Sequence, residues 1–271
     1  MIRIKGMTIH PTNENLPSLT KQETNIIKIM ANQQSIHEYD SFEQLIFEIK
    51  LRLETVRAAE ELNNSGVKFA TFATSKCNES YWELINTGAF VITDHITPSE
   101  AILDIFKHGN KYAFECATAM VIVFYKAIHD SISQDSFNQL FSELVLYDWH
   151  YDKDLGLTTT RENEFIPGDC IYFKNPEFDP ETPYWRGENA IVIDEDLYYG
   201  HGIGLKDANE IITHLNDHRK MNASESAYML DQVSRPDYRS LSKYEAHTRR
   251  IHYQRPTSLS TAIIGSSLYI I

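Results

Sequence analysis

The chain is poor in cysteine, in basic charge and in long apolar runs. Its 271 residues include only Cys77, Cys116 and Cys170. An odd, sparse set makes no disulfide framework. No two of them form a C-x-x-C pair, so a structural zinc site is not expected. No window has the apolar length of a membrane span. MIRIKGMTIHPTNENLPSL lacks the apolar core of a secretory signal, which makes synthesis in the cytoplasm the expectation. Basic residues number 25 against 38 acidic ones, for a net charge of −13. That balance argues against nucleic acid or an anionic membrane as a partner and suits basic, lysine-rich surfaces. There is no internal repeat and no low-complexity run. The most acidic segment, DWHYDKDLGLTTTRE, lacks the glycine and terminal glutamate of an EF-hand loop. HTRRIH spaces His247 and His252 poorly for zinc. No metal and no cofactor is expected.

Apolar residues make up 42% of the chain, enough for a substantial core. Residues 10–40 are polar and weakly patterned and read as an extended N-terminal wrap. SFEQLIFEIKLRLETVRAAEELNNSG reads as an amphipathic helix, with Ser41 and Gln44 at capping-box spacing and Gly66 past its end. Phe42, Leu45, Ile46, Ile49, Leu53 and Val56 form its stripe. TPSEAILDIFKHG is a second helix, with Thr97 as cap, Pro98 at the first position and Glu100 closing the box. YAFECATAMVIVFYKA is a third, and SFNQLFSELVLYDW a fourth. Beyond residue 165, PGDCIYF, ENAIVID and DLYYGHGIG read as short strands. DANEIITHLNDH is a helix with capping-box spacing, and AYMLDQVSRP, RRIHYQ and AIIGSSLYII are further strands. Helices first and strands later is the α+β pattern, with helices packed on one face of a largely antiparallel sheet. The domain expectation is an N-terminal extension over 1–40 and a single catalytic domain over 41–271.

Cys116 lies in the first turns of its helix, where free N–H groups and the dipole favour an anion. Its neighbours at helical spacing are Ala119, Met120 and Val123, so it faces whatever the helix packs against. A lone cysteine on an apolar helix face is usually structural. Partners come from the strands. Glu188 opens ENAIVID, and His201 ends the next strand between glycines that permit close approach. Glu115 is adjacent to Cys116, but successive helical residues point about 100° apart. Geometry therefore favours Glu188 as base and keeps Glu115 second.

The segments KYAFECATAMVIVFYKA, GDCIYFKNPEFDPETPYWRGENAIVID and YYGHGIG resemble the protein-glutamine gamma-glutamyltransferases of spore-forming bacilli, the small spore-coat transglutaminases. FEC, WRGENAI and YGHGIG stand in that family's order and spacing. The resemblance implies a papain-like NlpC/P60 core in which Glu188 takes the place usually held by histidine. It implies a Cys116–Glu188 dyad, Glu115 as a partly redundant base and His201 as a polar third member. It implies an aromatic tunnel at Phe69, Trp149 and Trp185. The expected reaction joins protein glutamine to protein lysine through a thioester on Cys116, without calcium, with the Cys116 backbone N–H as one oxyanion donor. The expected partners are spore-coat proteins bearing accessible Gln and Lys, met by a monomer at the spore coat. Two other readings stay open: an NlpC/P60-type cysteine amidase or peptidase, and a non-enzymatic acidic coat component.

Overall fold

The computed structural model describes residues 1–9, 19–245, 261–264 and 267–270. The strand expected at RRIHYQ and the pair His247 and His252 lie outside the described residues. Among those described run seven α-helices: Lys21–Asn32 (α1), Phe42–Asn64 (α2), Pro98–Lys107 (α3), Cys116–Ser131 (α4), Gln134–Leu140 (α5), Ala208–Asn216 (α6) and Tyr238–Leu241 (α7). The main sheet has six strands in the order Gly204–Lys206, Leu197–Gly200, Gly187–Asp194, Cys170–Lys174, Tyr228–Arg235, Thr158–Thr160. Each neighbouring pair is antiparallel. The α+β expectation holds.

The two faces of this sheet serve different cores. Cys170, Ile191, Ile193 and Tyr199 join residues of α2 and α4 in the larger one. Ile171, Phe173, Ala190, Val192 and Tyr198 point the other way, against Ile211 and Leu215 of α6. Helices on one face only was the expectation, and α6 corrects it. The central strand is buried at every position from Gly187 to Ile193. A strand apolar on both sides needs cover on both.

Capping chemistry decides the helix starts. Thr97 with Glu100 and Asp207 with Glu210 form reciprocal capping boxes at α3 and α6. Ser41 caps α2, but Gln44 bonds the Asp40 N–H rather than that of Ser41. The extended wrap expected over residues 10–40 is replaced in part by α1, which opens on a third box, Thr20 with Glu23. Ile26, Ile27 and Met30 of α1 pack with Ile2, Ile9, Leu45 and Ile49 in a core of their own. Helix α2 is thus buried on two sides, with Phe47, Leu51 and Leu62 in the larger core. Helix α5 is shorter than expected. It stops at Leu140, and Val145–Leu146 pairs instead with Phe90 and Val91.

One buried ion cluster ties α2 to the sheet. Pro167-Gly168-Asp169 precedes the strand Cys170–Lys174. Gly168 has φ +88°, and a Cβ there would sit 2.8 Å from the Arg52 carbonyl oxygen. Asp169 is fully buried and accepts from Arg52 Nη1 at 2.6 Å and from Arg235 Nε and Nη2 at 2.6 and 2.8 Å. Arg52 also donates to Glu48 at 2.9 Å, and its guanidinium lies 4.8 Å from the Tyr238 ring centroid. Burial pushes the Asp169 carboxyl up, but Arg52 and Arg235 outweigh it and hold it below the usual range. Its contribution is complete above the unfolded value of about 3.9 and is lost as pH falls through the lower folded value. We expect Asp169→Asn, which leaves two buried guanidiniums short of charge, to cost about 3–5 kcal/mol. Urea denaturation should show a lower midpoint at unchanged slope.

Candidate active site

Helix α4 is buried along nearly its whole length, and its first residue is Cys116. The chain enters it from the two-residue strand Ala113–Phe114, which pairs in parallel with Lys68–Phe69. Glu115 is the N-cap, with φ −81° and ψ 159°. This corrects the expected orientation of its side chain. The 100° separation holds for residues inside a helix, whereas an N-cap has extended backbone and turns its side chain over the first turn. Glu115 Oε2 accepts the Ala117 N–H at 2.8 Å, and the Cys116 thiol donates to Oε1 at 3.2 Å.

The strand Gly187–Asp194 crosses the start of α4. Asn189 lies on the same side as Ile191, and its Nδ2 donates to Cys116 Sγ at 3.6 Å. Glu188, one residue earlier, is 1% exposed. Its side chain runs beside Gly200, where a Cβ would come within 3.0 Å of Cγ and Oε1. Glycine leaves that space open. Glu188 Oε1 has no hydrogen-bond partner. Burial, followed by the negative Glu115, raises the Glu188 carboxyl well above its ordinary value. Both effects favour its protonated form. Burial, then Glu188, then Glu115 raise the Cys116 thiol as well. The resting site is a neutral thiol and a neutral acid, with Glu115 bonded to the thiol.

A cavity of about 610 Å³ opens onto this group. Glu115, Cys116, Trp149, Tyr172, Tyr184 and Asn189 are among its lining residues. A thiol hydrogen-bonded to a carboxylate, with a protonated acid nearby and a roomy entry, is an arrangement for covalent acyl transfer.

The family model described as protein-glutamine gamma-glutamyltransferase matches residues 1–245. The chain belongs to the protein-glutamine gamma-glutamyltransferase family. It is 44% identical over 241 residues to the Bacillus subtilis protein-glutamine gamma-glutamyltransferase, covering 89% of this chain and 98% of that one. The Bacillus licheniformis protein of the same name is 43% identical over 241 residues, with the same coverage. A solved transglutaminase from Geobacillus stearothermophilus, without its C-terminal extension, superposes with a TM-score of 0.74. It shares 48% identity and covers 76% of this chain and 99% of its own. Transglutaminase is thus an enzyme class that both sequence and fold support.

The other residues singled out in the sequence fall into two groups. Phe69 and Trp185 stack at 5.7 Å between ring centroids, 15° between planes. Gly202, at φ +100°, lets the Phe69 side chain approach to where a Cβ on the glycine would be 3.1 Å from the Phe69 Cβ and 3.2 Å from its ring. Trp149 stands apart from this pair, on the cavity wall. The His201 ring is held by its neighbours. Its Nε2 lies 3.3 Å from the Lys68 carbonyl oxygen and its Nδ1 3.0 Å from the Tyr199 hydroxyl. Since a carbonyl only accepts, Nε2 carries the proton and Nδ1 accepts from Tyr199. The ring stacks on Phe114 at 5.0 Å.

Asn189, Tyr172 and Tyr184 were not singled out in the sequence. Strand alternation was the usable signal for Asn189, which has the same parity as the core residue Ile191. The tyrosines carried no signal apart from the aromatic richness of their segments.

Burial lowers the His201 ring to a pKa of about 4. Unfolded histidine titrates near 6.5, so the unfolded state takes up a proton first as pH falls. Stability is unaffected above that value and falls between about 6.5 and 4. From pH 7 to 5 the loss should be about 2 kcal/mol. His201→Gln should remove that part of the acid sensitivity, read as a smaller change in urea midpoint between the two pH values.

Proposed function

We propose that this chain cross-links spore-coat proteins, joining glutamine to lysine through a thioester on Cys116. The observation that carries the chemistry is the bond from the Cys116 thiol to Glu115, with the buried Glu188 beside it. The family of the chain and the Bacillus source of its relatives support the setting. A net charge of −13 suits lysine-bearing acceptors.

The two carboxyls divide the work. Glu115 takes the Cys116 proton, and the thiolate attacks the γ-carboxamide carbon of a glutamine. Protonated Glu188 gives its proton to the departing –NH2 as the C–N bond breaks, and ammonia leaves. A γ-glutamyl thioester remains. A neutral lysine ε-amine then attacks the thioester carbon and loses a proton to Glu188. The C–S bond breaks, and the sulfur recovers its proton from Glu115. Both carboxyls return to their starting states. This assignment reverses the sequence-based ranking, in which Glu188 was the first base. In the resting geometry the thiol bonds Glu115, while burial keeps a proton on Glu188.

Phe69, Trp149 and Trp185 would wall the path of the long methylene chains and limit the water that turns a thioester into glutamate. The chain would act as a monomer, with residues 41–271 as a single catalytic domain.

Incorporation of a labelled primary amine into a glutamine-bearing protein tests the reading. Cys116→Ala should abolish it. Glu115→Gln and Glu188→Gln should each lower kcat/KM by about 10²-fold. The double variant should fall to the level of Cys116→Ala. Ammonia release that proceeds equally well without an amine would make the chain an amidase instead. Full activity in Cys116→Ala would end the proposal.

A further inference from the structure

Two hydrogen-bonding directions meet at the Cys116 sulfur. On one side the S–H points to Glu115 Oε1 at 3.2 Å. On the other, Asn189 Nδ2 donates to the sulfur at 3.6 Å. We propose that Asn189 is the positioning residue of the nucleophile. Its amide binds the sulfur lone pair, directs the S–H toward Glu115 and stabilises the thiolate once that proton has gone. The proposal rests on the reading of Cys116 as nucleophile and adds a residue that neither composition nor motif suggested.

Three observations support the role. Asn189 is 8% exposed, so water competes little for its amide. It stands on a central strand bonded on both sides, opposite Tyr172 in the register with Cys170–Lys174. Its position is therefore set by the sheet rather than by a loop. Asn189 lines the same cavity as Cys116, so its amide and the sulfur share one entry. Donors fixed before reaction favour charge that develops during it. Burial, Glu188 and Glu115 all disfavour a thiolate here, and the bond from Asn189 opposes them. Asn189 thus keeps the thiol ionisable in a place that two carboxyls and desolvation would otherwise make inert.

The geometry also bears on which carboxyl receives the proton. With its lone pair bound to Asn189, the sulfur presents its hydrogen to Glu115. Losing the amide would free the S–H to rotate.

The test uses the full chain and iodoacetamide. Alkylation of Cys116 is followed between pH 6 and 10.5 by mass spectrometry of the Cys116 peptide. Asn189→Leu removes the side-chain donor. Asn189→Asp preserves shape, removes the donor and adds negative charge. Both should move the reactivity profile upward, by about one pH unit or more. Below the midpoint this appears as a roughly tenfold slower reaction. Asn189→Asp should shift at least as far, and its near-identical size guards against a folding defect in Asn189→Leu. Amine incorporation by Asn189→Leu should recover toward alkaline pH, which a merely structural loss would not do. Unchanged alkylation profiles in both variants would overturn the proposal, and so would a loss of kcat independent of pH. Activity persisting in Cys116→Ala would instead sink the reading of Cys116 as nucleophile, and the alkylation profiles would still decide whether Asn189 bonds its sulfur.

Discussion

The buried Asp169 carboxylate, held between Arg52 and Arg235, sets the frame on which the rest depends. It sits one residue before the strand Cys170–Lys174 and pins that strand to α2. The next strand in the sheet, Gly187–Asp194, carries Glu188 and Asn189. Helix α2 also packs along α4, whose first residue is Cys116. The clamp therefore sits at the junction of both parts of the site. Replacing such a cluster with apolar residues often costs little stability. Its use here is register. A slip of one residue would turn Asn189 away from the thiol and put a neighbour of the opposite face in its place. The glycine of the same motif works alongside the charge, because only a residue without Cβ lets the turn lie against the α2 backbone at Arg52.

Within that frame the site is built on the cost of charge in a dry place. Glu188 has one carboxyl oxygen without a partner, and the thiol of Cys116 is almost completely buried. Both are neutral because burial penalises their charged forms before any neighbour acts. Glu115 meets a different environment. It caps a helix, accepts a main-chain N–H and reaches the cavity. Two carboxyls placed in unlike surroundings have their proton affinities pushed apart, which is what the proposed division of acid and base work requires. The His201 ring is held by Tyr199, Lys68 and Phe114.

Local chemistry was legible wherever a cap or a periodic stripe wrote it. The boxes at Thr97 and Asp207 placed α3 and α6 correctly. Thr20 and Glu23 carry the same signature, and α1 went unread because its surroundings are polar and its apolar face is short. The strands Cys170–Lys174, Gly187–Asp194, Leu197–Gly200 and Tyr228–Arg235 were legible as strands, but two-sided burial was not, since α6 covers one face from far along the chain. The orientation of Glu115 was misjudged for a local reason. Whether a residue is the cap or the first turn changes its side-chain direction completely, and YAFEC does not say where the helix begins.

The sequence by itself determined the α+β class, the starts of α2, α3 and α6 and the candidate nucleophile, because capping and hydrophobic period are short-range properties. Through its motifs it also determined the family. Only the tertiary structure decided which groups touch the sulfur. Glu115 reaches it because an extended N-cap folds forward, and Asn189 reaches it because strand parity turns it toward α4. Glu188 keeps its proton because the sheet and both cores exclude water from it. Those outcomes depend on packing between segments some seventy residues apart, where desolvation and register act and sequence spacing carries no information.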